Sequence, residues 1–161
     1  MGFEGCFACD HENPKGLRMK FERAGEGVRA EFTPEKWHVG WPGIQHGGLT
    51  CTIMDEALGH VVHHLGVVAL TGEMQVSFLR PIRVGERVIV EAYPVRKRRR
   101  IIDVEAVVRG EDGQIKAKCQ AKMLVLSDDQ KEEMSLMGLN TRPTGSQLAE
   151  KSSESKQTAA E

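Results

Sequence analysis

The hydrophobic period of the sequence changes from four to two close to residue 70, and this change limits the folds open to the chain. Before it, apolar residues recur every four positions across residues 49–65, which predicts one long, largely buried helix that ends at Gly66. After it, apolar and polar residues alternate as far as residue 126, in segments joined by short turns such as residues 110–114. One helix followed by consecutive antiparallel strands, arranged as a meander, is therefore expected.

Two shorter alternating segments precede the helix. Residues 17–21 and 28–32 predict strands with one solvated face, joined by a glycine turn at residues 25–27. Residues 33–48 contain two prolines and four glycines, so a loop is predicted there, and its length suggests a functional role. Because a sheet that wraps around one helix buries the apolar stripe of that helix, the expected fold class is α+β.

Length and composition define the domain organisation. Residues 1–127 are expected to form a single domain, with an N-terminal extension at residues 1–15 that carries the pair Cys6-x-x-Cys9. Residues 128–161 are rich in Ser, Glu, Lys and Gln and are expected to form a mostly disordered tail.

Charge and cysteine usage restrict the partners and the compartment. Lys and Arg total 22 against 23 Asp and Glu, which argues against nucleic acid or an anionic membrane as the main partner. No run of 18 apolar residues occurs, and the N-terminus lacks the pattern of a signal peptide. The four cysteines are not distributed as in a secreted disulfide framework, so a cytoplasmic protein with reduced thiols is expected.

Two glycines and an acid stand out at the helix entrance. Gly47 and Gly48 precede the apolar stripe, where unpaired backbone N–H groups and a partial positive charge are available to an incoming oxygen atom. Asp55 lies about two turns further on at the edge of the stripe, and Gly59, one turn later, leaves a gap beside it. An N–H donor and a carboxylate on one helix would suit hydrolysis of an activated acyl group.

These residues carry a resemblance to a known family. The segment His46-Gly47-Gly48, with an acid nine residues after the histidine and alternating strands behind it, resembles the hotdog-fold acyl-CoA thioesterases of the PaaI-like branch (4-hydroxybenzoyl-CoA thioesterase superfamily). The resemblance implies one central helix wrapped by a five- to six-stranded antiparallel sheet. It also implies a homodimer, or a dimer of dimers (homotetramer), with active sites at the dimer interface.

The resemblance also implies roles for individual residues. Asp55 matches the catalytic carboxylate, acting as general base or nucleophile, and the Gly47 N–H matches the group that polarises the thioester carbonyl. His46 matches the histidine that shapes the turn, and Thr71 aligns with a Ser or Thr that helps to hold the attacking water. The substrate is an acyl-CoA, of which coenzyme A is a part, and no metal or other cofactor is implied.

Further substrate contacts are expected around the helix entrance, at Gly40, Gln45, Gly48 and Gly59. Gly40 departs from the family pattern, because several members carry Asn or Gln at this position to orient substrate or water. The departure leaves open whether Trp41, Gln45 or the partner subunit replaces that group.

The run Arg-Lys-Arg-Arg-Arg at residues 96–100 is the densest positive segment of the chain. Its position between two strands and its lack of aromatic neighbours disfavour a nucleic-acid site. A solvated strand end is one interpretation. The other is a clamp in which Arg96, Arg98 and Arg99 bind the phosphates of coenzyme A.

Two groups of possible metal ligands have a more ordinary interpretation. Glu56, His60 and His64 follow one another at helical spacing, but a polar helix end explains them, and Glu56 is expected at the surface or in a dimer contact. Cys6 and Cys9 have the spacing of half a zinc knuckle without a second pair, so a packed N-terminal turn is favoured over metal or redox chemistry.

The expected function is therefore hydrolysis of an acyl-CoA thioester to free acid and CoA, with no metal. The alternatives are a non-catalytic acyl-CoA binder or sensor, motivated by Gly40, and a hotdog enzyme that acts on carrier-protein or enoyl thioesters. The sequence does not specify the acyl group.

Overall fold

The computed structural model describes residues 3–136 of the 161-residue chain. In chain order the elements are β1 (Phe21–Ala24), β2 (Gly27–Phe32), β3 (Val39–Trp41), β4 (Ile44–Gln45), α1 (Gly47–His64), β5 (Ala69–Phe78), β6 (Val88–Lys97), β7 (Ile101–Gly110), β8 (Ile115–Val125) and α2 (Asp128–Leu136). Across this described part, no helix is both long enough and apolar enough to cross a membrane.

Six strands form one antiparallel sheet in the order β1, β2, β6, β7, β8, β5. Helix α1 packs against this sheet and shares its core with β2 and β5 to β8. The α+β class, the single long helix and the six-stranded antiparallel sheet predicted from the sequence are thus confirmed.

The expected strand order is wrong at one place. β5 does not pair with β6, the next long strand in the sequence, but with β8, from Ala69 opposite Val125 to Phe78 opposite Ala117. Only β6, β7 and β8 form a meander. Alternation predicts which face of a strand is buried, but it does not say which strand lies beside it. As a result, β5 forms one edge of the sheet and β1 forms the other.

The apolar stripe of α1 is the centre of the hydrophobic core. Ile53, Met54, Leu58 and Val61 are fully buried. They share one cluster with inward-facing side chains of the sheet, among them Val88, Val90, Val104, Val108 and Met123. Since burial of one such side chain contributes about 1.5–3 kcal/mol, this contact fixes the rotation of α1 about its own axis.

The segment before β1 departs from the predicted first strand. The amides of Leu17 and Met19 donate hydrogen bonds to the carbonyl oxygens of Phe7 and Ala8, at 2.8 Å in both cases. Arg18, between them, has a φ of 54°, which breaks the extended conformation. This segment therefore holds the N-terminal extension against the domain, and regular pairing begins only with β1.

Two regions that were predicted to be irregular contain some regular structure. Within the predicted loop at residues 33–48, β3 and β4 form a small hairpin. The first nine residues of the expected tail form α2, which begins after reciprocal hydrogen bonds between Ser127 and Gln130. This Ser-x-x-Gln capping box is a helix-start signal in the sequence that the polar composition of the segment obscured. Residues 137–161 lie outside the described residues, and the predicted tail remains a prediction there.

A buried ion pair joins β8 to the turn before β6. Lys116 is only 6% exposed, and its ammonium group pairs with the carboxylate of Glu86. Burial opposes ionisation of Glu86, but a hydrogen bond from the Arg83 amide and the pairing with Lys116 outweigh it, so the pKa of Glu86 lies below its usual 4.5. A carboxyl group whose pKa is lower in the folded state stabilises the fold above its unfolded pKa and loses that effect as the pH falls through the folded pKa.

We expect Glu86→Gln to lower the free energy of unfolding by about 3 kcal/mol at pH 7, because it leaves the Lys116 ammonium buried without a counter-charge. Urea denaturation should show the difference from wild type shrinking as the pH falls from 4.5 through the lowered pKa of Glu86, because the folded wild-type carboxyl then becomes protonated as well. Glu91→Gln, which removes a solvent-exposed pair with Arg109, serves as the matched control and should cost less than about 1 kcal/mol. Equal losses in the two variants would contradict this account.

Candidate active site

The N-terminus of α1 is capped by a histidine. His46 has the extended backbone of an N-cap residue, and its Nδ1 accepts a hydrogen bond from the Gly48 amide at 2.8 Å. The His46 carbonyl oxygen accepts from the Leu49 amide at 2.9 Å. Within residues 3–136, the Gly47 amide has no hydrogen-bond acceptor, and Gly47 is exposed. The cap therefore leaves the N–H of Gly47 as a donor for another molecule.

The glycines around His46 have different structural roles. A Cβ atom on Gly48 would lie 2.9 Å from Nδ1 of His46, and one on Gly40 would lie 2.7 Å from Cδ2 of the same ring. Both glycines therefore make room for the imidazole. A Cβ on Gly47 would meet only the Phe78 ring, at an ordinary 3.5 Å. Gly47 thus contributes through its amide rather than through a lack of space.

Asp55 and Thr71 are in contact. The Thr71 hydroxyl donates a hydrogen bond to Oδ1 of Asp55 at 2.6 Å, and both residues are exposed in the single chain. The space beside Gly59 is open, since a Cβ there would meet nothing within 4 Å. A carboxylate, a hydroxyl group and a free volume thus lie on one flank of the helix.

A β-bulge in β5 places Thr71 on this flank. The pairing of β5 with β8 shifts register between Thr71 and Glu73, at Gly72. Because successive strand residues point to opposite faces, the extra residue allows Thr71 to face the same side as Met74. Gly72, a glycine inside a strand pattern, is the sequence signal for this bulge, and the predicted strand did not include a bulge.

Gly47 and Asp55, which lie on one helix, are far apart along its axis. The two residues are eight positions apart in α1, which corresponds to about 12 Å along the axis. A carbonyl carbon attacked from the Asp55 side requires its oxygen within hydrogen-bond distance of the amide, roughly 3 Å. Within one chain, the two groups therefore lie too far apart to act on the same carbonyl group.

Gln45 is buried rather than exposed to a substrate. It is 5% exposed, and its Nε2 donates to the Thr50 hydroxyl at 2.9 Å. Together with Gly47, Phe78 and Lys116 it lines a cavity of about 300 Å³ next to the helix entrance. A larger cavity, of about 1080 Å³, lies between the N-terminal segment and β2, and its lining includes neither Gly47, Asp55 nor Thr71.

The arginine run forms the end of β6 and the turn into β7. Arg98 is paired with Asp103 at 2.6 Å. Strand register places Ile101, just after the turn, in one row with Leu124 and Leu70, so the turn lies at the same end of the sheet as Thr71. With strands about 4.8 Å apart, the turn is roughly 10 Å or more from Thr71. The arginines thus lie beyond contact distance of Thr71 but within reach of one extended ligand.

The comparisons with known proteins agree with this geometry. A model of the thioesterase superfamily matches residues 42–117, which include Gly47, Asp55 and Thr71. The chain is similar to that superfamily over this part of its length. It is 38% identical over 91 residues to a putative esterase of Deinococcus radiodurans, a match that covers 56% of this chain and 62% of that protein. The match thus spans less than two thirds of that relative.

Solved structures show the same fold. A hypothetical thioesterase of Streptococcus pneumoniae, crystallised with coenzyme A, has a TM-score of 0.65 at 20% identity and covers 68% of this chain and 86% of its own. The PaaI protein of the phenylacetic acid degradation operon of E. coli has a TM-score of 0.66 at 15% identity, covering 69% and 81%. The hotdog fold and the PaaI-like resemblance are confirmed.

Glu56 does not lie on the open surface, which was one of its two expected positions, and a dimer contact, the other, stays a prediction. Its side chain is 17% exposed and lies against the N-terminal extension, 3.3 Å from Sγ of Cys6 and 3.2 Å from Nε2 of His60. Burial opposes ionisation of Glu56, but contacts from His60, Cys9 and Cys6 lower the pKa of its carboxyl group. Burial, together with the Glu56 carboxylate, raises the pKa of Cys9 well above its usual range. His64, the third residue in the helical series Glu56, His60 and His64, does not join this group and contacts Arg23 instead.

We expect Gly40→Asn to destabilise the protein by about 1 kcal/mol, because its side chain displaces the His46 ring and breaks the helix cap. The loss should disappear in a His46→Ala background, since no ring then occupies the space. Denaturant unfolding of the four proteins of this double-mutant cycle measures the coupling. Additive losses in the double variant would show that His46 is not the group displaced.

Proposed function

We propose that the protein is an acyl-CoA thioesterase whose active sites are each completed by two copies of the chain. The observation that carries the proposal is the division of the site into two half-sites. Asp55 accepts a hydrogen bond from Thr71 on one flank of α1, while the unpaired amide of Gly47 lies about 12 Å away at the helix entrance. The match of residues 42–117 to a model of the thioesterase superfamily supports thioester hydrolysis as the reaction.

The proposed chemistry divides the work between these groups. The Gly47 N–H hydrogen-bonds the thioester carbonyl and stabilises the negative charge that develops on its oxygen. Asp55 takes a proton from a water molecule that attacks the carbonyl carbon, and Thr71 holds the carboxylate and the water in place. When the carbon–sulfur bond breaks, the proton passes from Asp55 to the leaving CoA thiolate. The reaction uses no metal or organic cofactor. In the other form of the reaction, the Asp55 carboxylate attacks the carbonyl carbon and expels the CoA thiolate, and water then hydrolyses the resulting mixed anhydride to the free acid and the Asp55 carboxylate.

The edge strand β5 supports the involvement of a second copy. β5 is ten residues long, and its exposed side chains include Leu70 and Phe78, which are 52% and 58% exposed. An unpaired apolar edge of this length favours association with another strand. Two-fold pairing of β5 with itself is antiparallel, so the Phe78 end of one strand lies opposite the Thr71 end of the other.

This pairing brings the half-sites together. Phe78 lies beside Gly47, and Thr71 lies beside Asp55. When the two ends of β5 meet across the two-fold axis, Gly47 of one copy approaches Asp55 of the second copy. A homodimer is therefore the smallest active unit in this proposal, and a dimer of dimers would contain the same sites twice.

Coenzyme A is the proposed leaving group. The arginine turn lies at the Thr71 end of the sheet, where Arg96, Arg98 and Arg99 provide cations for the phosphates of CoA. A structural neighbour with this fold was crystallised with coenzyme A. The acyl chain would enter beside Gly59, where the helix surface is open.

We expect Asp55→Asn to lower kcat for acyl-CoA hydrolysis about 10²–10⁴-fold, because the amide neither accepts the proton nor attacks the carbonyl. Thr71→Val should cause a smaller loss, since it removes a positioning hydrogen bond. Release of free CoA, measured with a panel of acyl-CoA esters, checks both values. Asp128→Asn, at a fully solvated acid of α2, is the control and should keep wild-type activity.

Two results would overturn the assignment. Undiminished hydrolysis by Asp55→Asn would exclude the proposed base. Tight acyl-CoA binding by calorimetry, with no turnover of any ester by the wild type, would identify a binding protein instead. Hydrolysis of carrier-protein thioesters alone would keep the reaction and change the substrate.

We expect Gly47→Pro to lower kcat about 10²–10³-fold, because proline lacks the N–H that polarises the carbonyl. Proline is well tolerated at the first helical position, and the extended backbone of His46 suits the residue before a proline. Gly47→Ala keeps the N–H and fits beside Phe78, so it is the matched control and should retain most activity.

Mixing the two inactive variants tests the sharing of the site. In a dimer of one Asp55→Asn chain and one Gly47→Pro chain, one site contains both intact groups and the other contains neither. Random exchange of subunits should therefore restore about one quarter of wild-type activity. No recovery, although mass spectrometry shows mixed dimers, would place both groups in the same chain.

A further inference from the structure

The N-terminal extension and α1 bring three metal-ligating side chains together on the flank of the helix opposite to Asp55. Sγ of Cys6 lies 3.3 Å from Oε2 of Glu56. One ligating atom from each of Cys6, Cys9 and Glu56 lies within 4.8 Å of the other two. Both cysteines are free thiols. Residues 50 positions apart in the sequence thus converge on one point.

The backbone of the extension is arranged around the two sulfur atoms. The amide of Ala8 points at Sγ of Cys6, and the amide of Phe3 points at Sγ of Cys9, at 3.3 Å in each case. Such N–H groups stabilise negative charge on sulfur. The turn also buries Cys9 completely, so its sulfur faces the protein interior rather than solvent. A turn of this shape presents two sulfur atoms to one partner.

His60 provides a fourth group and an independent sign of a missing partner. It is 5% exposed, and Phe21 stacks on its ring at 4.3 Å. Its Nε2 lies 3.2 Å from Oε1 of Glu56, yet it makes no well-directed hydrogen bond to any group among residues 3–136. Apart from the Glu56 carboxylate, no polar partner of this buried nitrogen lies among the described residues, and the ring lies at the edge of the cluster.

We propose that Cys6, Cys9, Glu56 and His60 form a structural zinc site that fastens the N-terminal extension to α1. Ligand atoms around a tetrahedral Zn²⁺ are separated by roughly 3.3–3.8 Å, given Zn–S of about 2.3 Å and Zn–N or Zn–O of about 2.0–2.2 Å. Oε2 of Glu56 is already at such a distance from Sγ of Cys6, 3.3 Å, while His60 lies 3.2 Å from the other oxygen, Oε1, and would reach the ion by a small shift. Thiolates and an imidazole favour Zn²⁺ over Mg²⁺ or Ca²⁺, which prefer oxygen ligands alone.

Zinc binding exchanges the metal ion for protons. Zn²⁺ replaces the protons of the two thiols, so two protons are released for each ion bound, and no electrons are transferred. The site stands apart from the proposed hydrolysis, because Asp55 faces Thr71 whereas Glu56 faces the extension. The zinc has a structural role, and the proposal does not depend on the proposed function.

The test uses the full chain, purified under reducing conditions and freed of metal. Zn²⁺ titration followed by elemental analysis of the desalted protein should give about one ion per chain. Substitution with Co²⁺ should produce the intense near-ultraviolet band of thiolate-to-cobalt charge transfer. Cys6→Ser and Cys9→Ser should lose the ion and the band, whereas Cys51→Ser, which alters a thiol outside the cluster, should keep both.

Two further measurements separate binding from folding. Zn²⁺ should raise the Tm of the wild type but not that of Cys6→Ser. The Glu56→Gln variant should bind Zn²⁺ more weakly while keeping a native circular dichroism spectrum. X-ray absorption should show two sulfur atoms at about 2.3 Å and two lighter atoms at about 2.0–2.2 Å from the zinc. A reduced wild type that binds no zinc, or a Cys6→Ser/Cys9→Ser double variant that binds it equally well, would overturn the proposal.

Discussion

The burial of α1 against the sheet determines most of the structure's remaining features. Ile53, Leu58 and Val61 have no exposed surface, so the helix has one rotation that keeps its stripe in the core. Consecutive residues of a helix point about 100° apart, and Asp55 and Glu56 therefore emerge on opposite flanks of the stripe. One flank meets β5 and the other meets the N-terminal extension. Two neighbouring acids thus have unrelated surroundings because of packing that involves neither of them.

The second constraint is the position of β5 at the edge of the sheet. An edge strand can carry a bulge, because only one of its sides is paired, and the bulge at Gly72 directs Thr71 towards the helix. The same edge leaves Leu70 and Phe78 exposed. Both the polar contact of Asp55 and the apolar surface for a second chain therefore depend on β5 pairing with β8 rather than β6.

The sequence predicted the local structure well and the neighbours of each element less well. The period-four stripe located α1, and the alternating segments located β5 to β8, because each pattern reports burial along one element. The resemblance also placed Asp55 and Thr71 in one site, and the structure shows their side chains in contact. The order of the strands is not encoded in alternation, since any strand with one buried face suits several positions in a sheet. Glu56 was misplaced for a related reason: the helical period shows that it leaves the stripe, but not that the extension covers that flank. Cys6 and Cys9 likewise gain their relation to Glu56 only through the fold.

At the helix entrance, the His46 ring lies where a side chain at position 40 would be, and Thr71 provides a polar group elsewhere. The His46 ring occupies the space in which a side chain at position 40 would begin, and the Gly48 amide holds the ring there at 2.8 Å. A Cβ atom at position 40 would thus displace the ring from its present position, and in this chain the imidazole fills that volume. The hydroxyl group that contacts the Asp55 carboxylate belongs to Thr71. In the proposed reaction, the positioning of water consequently moves from the loop before the helix to the edge strand, where the bulge at Gly72 supplies the orientation.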